Sequence, residues 1–177
     1  MKLNELVNKR QSVRKYKNEA VPEEAVAACI EAARLAPSAC NAQPWKFIVV
    51  DDQALKQKVG EAAAGFGMNK FCPLVPCIVV MVLEKPNLVS AVGSVLKDKE
   101  YALIDIGIAA EHFCLQAAEL GLGTCMIGWF DEKKVRQLLG IPKNKRLPLL
   151  ITLGYPDDVP RGKDRKTTEQ ICSKNRY

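Results

Sequence analysis

The stretch from about Lys99 to Leu120 is apolar on more than one side of a helix, and this pattern restricts the fold more than any other. One set of its apolar residues recurs at alternating spacings of three and four, which is typical of an α-helix; the set is Leu103, Ile106, Ala110, Phe113, Ala117 and Leu120. Ile104, Ile108 and Leu115 fall outside that stripe. A helix with apolar residues on several sides must be covered on several sides. We therefore expect a central helix that packs on its own sheet and also on a second subunit.

Four apolar runs predict the strands of that sheet. The strongest lies within Val75–Leu83, where Ile78–Leu83 shows no polar alternation and so indicates a strand buried on both faces. The other predicted strands are Lys46–Asp51, Cys125–Ile127 and Leu147–Leu153, the last interrupted by Pro148.

Helical patterns alternate with these strands. Besides the central helix, the predicted helices are Leu3–Arg10, Pro22–Leu35, Asp52–Ala64 and a helix capped by Asp131 that runs to Leu139. The connection from Lys85 to Asp98 is predicted to be a loop or a lid. Strands separated by helices, without an internal repeat, predict one α/β or α+β domain over residues 1–177, with an extended basic arm over about 160–177.

The formal charge of +6 is concentrated at the two ends of the chain. Residues 1–19 and residues 161–177 each contain six Lys or Arg and two acidic residues. Three interpretations fit this pattern: an anion bound where the ends meet, two solvated tails, or an electrostatic footprint for nucleic acid.

Several classes of protein and site find no support in the sequence. The longest nearly apolar run, Pro73–Leu83, is shorter than the roughly 18 residues of a membrane-spanning helix, and no export signal is evident. The seven cysteines are odd in number and never spaced C-x-x-C, which disfavours both a disulfide framework and a metal site and favours a reducing cytoplasm. Gly121 and Gly123 follow a helix, so we interpret them as its C-terminal cap and not as a dinucleotide loop.

The sequence offers few candidate acids and bases but many groups that bind anions. This balance is expected where a bound cofactor carries the reaction and the protein positions it. Arg10, Ser12 and Arg14 alternate along a predicted extended segment, so their side chains project to one face and can surround a phosphate.

Four segments together resemble the FMN-dependent nitroreductase family. In order they are KRQSVRKY from Lys9, APSACNAQPWKF from Ala36, DIGIAA from Asp105 with GLGTCMIGWF from Gly121, and LGYP from Leu153. The resemblance implies an α+β fold with a central mixed β-sheet flanked by helices. It also implies an obligate homodimer with the long helix in its interface and FMN bound between the subunits.

The resemblance assigns cofactor contacts position by position. It places Arg10, Gln11, Ser12 and Arg14 on the FMN phosphate and ribityl chain, with Gln11 acting mainly through its backbone. Lys163 and Arg165 match C-terminal phosphate contacts of the family. The partner subunit is expected to contribute its copies of Pro37, Ser38, Ala39 and Asn41.

Further positions are expected beside the flavin ring. Met126, Ile127 and Gly128 would pass along the isoalloxazine, where a backbone N–H near Gly128 or Trp129 could reach the flavin N5. The family commonly has a flavin-contacting Asn before the strand that corresponds to Val75–Leu83. Here Asn69 or Lys70, one position out of register, is expected to take that role.

The implied activity is an NAD(P)H-driven, ping-pong, two-electron reduction of nitroaromatics, quinones or a related small acceptor. NADH or NADPH is the implied donor, the flavin N5 carries the chemistry, and Arg14 gives electrostatic support. No side chain is assigned as a catalytic residue. Dehalogenation, dehydrogenation or flavin storage on the same fold, and more remotely a nucleic-acid-binding module, remain alternatives.

Overall fold

A four-stranded sheet lies at the centre of the computed structural model, which describes residues 2–85 and 99–177. The strands are β1 (Trp45–Val50), β2 (Cys77–Leu83), β3 (Gly123–Ile127) and β4 (Arg146–Gly154). Their order is β1-β2-β4-β3, and all three neighbouring pairs run antiparallel. The expected central sheet is confirmed. A mixed sheet was expected, whereas the four strands pair only in antiparallel fashion. Among the described residues, the one parallel pairing is the isolated bridge between Ser12 and Thr124.

Six α-helices surround the sheet in the described ranges, and the five longest were predicted to within two residues at each end. They are α1 (Leu3–Lys9), α2 (Glu23–Arg34), α3 (Gln53–Ala63), α4 (Tyr101–Glu119), α5 (Glu132–Leu138) and the short, unpredicted α6 (Thr168–Ile171). None of the described helices is long and apolar enough to cross a membrane. The predicted loop or lid between Lys85 and Asp98 lies, apart from Lys85, outside the described residues.

The sheet is covered on both faces. On one face Val79, Met81 and Ile151 form a core with side chains of α2 and α4. On the other face Ile78 and Val80 pack with side chains of α3 and α5. The first six residues of β2 are therefore all buried, as its unbroken apolar run predicted.

The two apolar sides of α4 differ in burial. Ala110 and Phe113 are fully buried against the sheet and α2. Ile104 is 55% exposed, and Ile108 and Leu115 are half-buried. The first predicted stripe thus faces the protomer's own core over most of its length, although Leu120 at its end is exposed. The second apolar side is only partly covered by this chain.

The C-terminal cap of α4 confirms the interpretation of Gly121. Its φ is +79°, a value that favours glycine. The Leu122 N–H donates to the Ala117 carbonyl at 2.8 Å, and the Gly121 N–H donates to the Ala118 carbonyl at 3.2 Å. These two bonds satisfy carbonyls that the helix leaves free at its end. The chain is thereby turned directly into β3.

Candidate functional site

The extended segment Arg10–Lys17 joins the N-terminal part of the chain to the residues that follow β4. The Val13 N–H donates to the Thr124 carbonyl at 2.8 Å. Further along, the Asp157 N–H donates to the Lys15 carbonyl and the Lys17 N–H donates to the Tyr155 carbonyl, each at 2.9 Å. The two ends of the chain therefore run side by side next to β3 and β4.

A half-buried tyrosine, Tyr16, attaches this segment to the sheet. The Tyr16 hydroxyl donates to the Val13 carbonyl at 2.9 Å and lies 2.7 Å from the Thr152 hydroxyl oxygen. Burial raises the pKa of Tyr16 above its ordinary value, so the hydroxyl keeps its proton. Tyr16 consequently acts as a structural tie.

An open cavity of about 370 Å³ lies where the two ends meet. Residues of both basic segments line it, and they are Arg10, Gln11, Ser12, Arg14, Arg161, Gly162, Lys163 and Arg165. The structure thus brings the predicted N-terminal set together with Lys163 and Arg165. Of the three interpretations of the basic ends, a shared anion site is the one that this geometry favours.

The C-terminal cations also hold the N-terminal segment in place. The Arg161 N–H donates to Gln11 Oε1 at 3.0 Å, and its guanidinium donates to the Ser12 carbonyl. The Lys163 ammonium donates to the Arg10 carbonyl. Gln11 was expected to act mainly through its backbone, but its side chain takes part in this connection.

The cavity has an excess of positive charge. Two carboxylates approach the five cations: Glu111 Oε1 lies 3.2 Å from Arg10 Nε, and Asp158 accepts the Arg14 N–H at 2.7 Å. The pKa of Lys163 is lowered by burial first, and then by the charges of Arg10 and Arg165. Arg10 and Arg165 disfavour the charged form of Lys163 because the potential around it is positive. A region of positive potential favours a bound anion.

Met126, Ile127 and Gly128 lie at the end of β3, a few residues beyond the bridge between Ser12 and Thr124. Ile127 is buried, Met126 is half-buried and Gly128 is exposed. A Cβ atom added to Gly128 would meet no other heavy atom within 4 Å. The surface at Gly128 is therefore open, and a flavin contact by these three residues stays a prediction.

The predicted loop Pro37–Asn41 does not line this cavity. It contains a short 3₁₀ turn, Ala39–Asn41, and the Ala39 N–H donates to Asp105 Oδ1 of α4 at 3.1 Å. Its assignment to a cofactor therefore stays a prediction, one that requires another copy of the chain.

Asn69 is also placed away from the cavity. Its side-chain amide donates to the Trp129 carbonyl at 2.9 Å and to the Ala63 carbonyl at 3.3 Å. These bonds fix the loop that follows Gly128, and they give Asn69 a structural role within the protomer. A flavin contact by Asn69 or Lys70 stays a prediction.

Arg161 and Gly162 are the two cavity residues that sequence reasoning missed, and Arg161 is the charged one of the pair. Arg161, Lys163 and Arg165 alternate in the same way as Arg10, Ser12 and Arg14, and this spacing was a usable signal. Glu111, the ion-pair partner of Arg10, gave no comparable signal because it lies in a helix far away in sequence.

The chain is similar to several known proteins. The model of the nitroreductase family matches residues 7–68 and 76–155 of the chain. An NADH dehydrogenase of Thermus thermophilus is 29% identical over 189 residues, which cover 92% of this chain and 91% of that protein. An iodotyrosine deiodinase of Thermotoga neapolitana is 28% identical over 172 residues, with 88% and 89% covered. The solved structure of an FMN-dependent nitroreductase from Clostridium difficile has a TM-score of 0.81 and 27% identity, with 97% of this chain and 98% of that chain covered.

Proposed function

Because the chain belongs to the nitroreductase family, we propose that it is an FMN-dependent oxidoreductase that passes electrons from NADH or NADPH to a small organic acceptor. Nitroaromatics and quinones are the proposed acceptor classes. The observation that carries the proposal is the cavity in which cationic side chains from both ends of the chain meet.

The side chains of the cavity fit the phosphate of FMN. Guanidinium groups bind phosphate oxygens through paired N–H donors, and the cavity presents Arg10, Arg14 and Arg165 together with the Lys163 ammonium. Ser12 adds a hydroxyl to the same wall. A phosphate dianion offsets the excess positive charge of the five cations that line the cavity. FMN therefore supplies what this set of donors lacks.

The flat part of the cofactor has a matching surface. Met126, Ile127 and Gly128 are proposed to lie along the flavin ring, supported by the open space at Gly128. When bound, FMN supplies the redox chemistry of the reaction. The chain itself binds and orients the cofactor, and the positive charge of Arg14 favours the more negatively charged state of a bound group.

We propose a homodimer in which each cofactor site is shared. Asp105, which holds the Pro37–Asn41 loop, and Glu111, which pairs with Arg10, are six positions apart on α4. Six residues turn a helix so that their side chains point about 120° apart. The loop and the cavity of one protomer are thus held on different sides of α4, and a second copy brings its loop to this cavity. The partly exposed apolar side of α4 supplies the interface.

A second candidate function is reductive dehalogenation. It is favoured by the similarity, over most of both chains, to the iodotyrosine deiodinase of Thermotoga neapolitana. Both candidates use the same cofactor site and differ in the acceptor. We also propose a reducing, cytoplasmic location, supported by the odd number of cysteines in the sequence and by their spacing, which is never C-x-x-C.

The first experiment measures the cofactor and its reduction. We expect the purified protein to carry flavin absorbance that bleaches under anaerobic conditions when NADH or NADPH is added. Reoxidation is then followed with a nitroaromatic, a quinone and an iodophenol, and iodide release identifies dehalogenation. A protein without flavin that binds no added FMN would contradict the proposal.

A matched pair of variants tests the cationic cavity. Arg14→Gln is expected to raise the Kd of FMN by about tenfold or more, because a charged hydrogen-bond donor is removed. Lys15→Gln is expected to change the Kd by less than about twofold, because the Lys15 ammonium pairs with Asp157 at 2.6 Å outside the cavity. Both are measured by flavin fluorescence titration of the apoprotein. Equal effects of the two variants would remove Arg14 from the site.

A further inference from the structure

Asp105 is a buried carboxylate on the otherwise apolar inner side of α4, with only 3% of its surface exposed. One oxygen, Oδ1, accepts the Ala39 N–H at 3.1 Å. The other, Oδ2, is buried and has no hydrogen-bond partner among the described residues. A buried charge is unfavourable unless donors compensate it. Among the described residues, the Ala39 N–H is therefore the donor that stabilises this buried carboxylate.

The backbone beyond Ala39 is strained. Cys40, Asn41 and Gln43 have φ values of 52°, 51° and 46°. These values lie in the left-handed region, which residues other than glycine rarely adopt. Such conformations persist when the surrounding structure holds them, and they concentrate at functional sites. The loop needs an external anchor for this reason.

Bonds within the loop preserve its shape but do not position it. The Gln43 N–H donates to Ser38 Oγ at 3.0 Å, and the Gln43 side chain donates to the Asn41 carbonyl at 3.1 Å. The bond from Ala39 to Asp105 is different, because it joins the loop to a long helix 66 positions away in the chain. A charged acceptor also makes this bond stronger than one between neutral groups.

We propose that Asp105 is a positioning residue: its carboxylate holds the Ala39 amide and so fixes the strained Pro37–Asn41 loop in the conformation that reaches the cofactor cavity of a second copy. The part concerning the cofactor rests on the proposed function. The anchoring of the loop rests on the contacts of this chain alone. Asp105 touches no reacting atom in this scheme.

Hydrogen exchange tests the anchoring without any cofactor. In the purified protein, Asp105→Ala is expected to speed amide exchange in the peptide 36–44 by at least about tenfold, because the strained turn loses its charged acceptor. Asp105→Asn keeps an acceptor oxygen of the same reach, so exchange is expected to rise by no more than about threefold. Mass spectrometry of the exchanged peptides measures both variants against the wild type.

FMN affinity tests the consequence for the shared site. The Kd of FMN, measured by fluorescence titration well below the unfolding temperature, is expected to rise at least about tenfold in Asp105→Ala and to recover to within about threefold in Asp105→Asn. Val59→Ala is the control, because it opens a cavity in the core on the opposite face of the sheet. It is expected to lower the unfolding temperature without changing the Kd or the exchange of peptide 36–44.

The outcomes separate the alternatives. Unchanged exchange of peptide 36–44 in Asp105→Ala overturns the anchoring. Faster exchange with an unchanged FMN Kd reduces Asp105 to a structural residue and overturns its positioning role. If Asp105→Asn is as impaired as Asp105→Ala, the retained acceptor is not what holds the loop, and the proposal is wrong. Failure of the wild type to bind FMN instead rejects the proposed function, while the exchange result still decides the anchoring.

Discussion

Two glycines show how closely the site is fitted at the scale of single residues. A Cβ atom at Gly123 would lie 2.6 Å from Val13 Cγ2 and 2.9 Å from Val13 Cβ, so the extended N-terminal segment approaches β3 as closely as glycine permits. A Cβ atom at Gly128 would meet no other heavy atom within 4 Å. The first glycine therefore serves the protein's own packing, and the second leaves room for a ligand.

The corresponding alanine variants are expected to behave differently. Gly123→Ala should lower the free energy of unfolding by about 1 to 3 kcal/mol, because Val13 must move away. Gly128→Ala should change it by less than about 0.5 kcal/mol but weaken FMN binding, since the added methyl group enters the space proposed for the flavin ring. Urea unfolding and FMN titration measure the two effects. Wild-type stability of Gly123→Ala would contradict the close approach.

Some site residues were predictable from the sequence and others were not. Arg10, Ser12 and Arg14 alternate along an extended segment, so their common face could be predicted without a structure. The partnership of Asp105 with Ala39 could not, because nothing in a local pattern relates two residues 66 positions apart. The positive φ of Cys40 could not be predicted either, because the loop contains no glycine, the residue that usually indicates a positive φ.

At the scale of elements, the segment Arg10–Lys17 behaves as a strand that lacks a full ladder. It makes isolated bridges at Ser12 and Tyr16, and the buried Tyr16 hydroxyl supplies further attachment to Val13 and Thr152. An element with so few backbone bonds depends strongly on side-chain bonds. Arg161 and Lys163 hold its first residues, and the Tyr16 hydroxyl attaches the segment to the sheet.

Removal of the Tyr16 hydroxyl should therefore loosen the element. Tyr16→Phe is expected to lower the free energy of unfolding by about 1 to 3 kcal/mol, because the buried Val13 carbonyl and Thr152 hydroxyl lose a partner. Tyr155→Phe is the control, since the Tyr155 carbonyl accepts the Lys17 N–H of the same segment, whereas the Tyr155 hydroxyl makes no hydrogen bond within the described ranges. Thermal unfolding compares the two. An equal loss of stability in both variants would assign the effect to general packing.

Elements with strong local sequence patterns were predicted well. Pro148 in β4 shows where prediction from the local sequence ends. Pro148 lies inside β4 although proline cannot donate to a ladder. The pairing of β2 with β4 shifts register between Met81 and Leu83, and β3 pairs with β4 only from Leu150 onward. Pro148 thus occupies an irregular end of the strand, and that end depends on the neighbouring strands, not on the local sequence.

At the scale of the whole molecule, the exposed apolar side of α4 predicts how two copies associate. Ile104→Glu is expected to dissociate the proposed dimer and to release FMN at the same time, because burying an unpaired charge in an apolar interface is unfavourable. Leu74→Glu is the control, because Leu74 is 80% exposed in a turn that packs against α3 on the opposite face of the sheet. Analytical ultracentrifugation and flavin absorbance are read on the same samples. A monomer that keeps its full FMN affinity would contradict a shared site.

The bond between Arg161 and Ser12 also orders events during synthesis of the protein. The two residues are 149 positions apart, so a ribosome that adds about 5 to 20 residues per second makes them roughly 7 to 30 s apart. Throughout that interval the nascent chain has only the N-terminal cations of the cavity. The proposed phosphate site is therefore complete only after Arg165 has been translated, close to the end of synthesis.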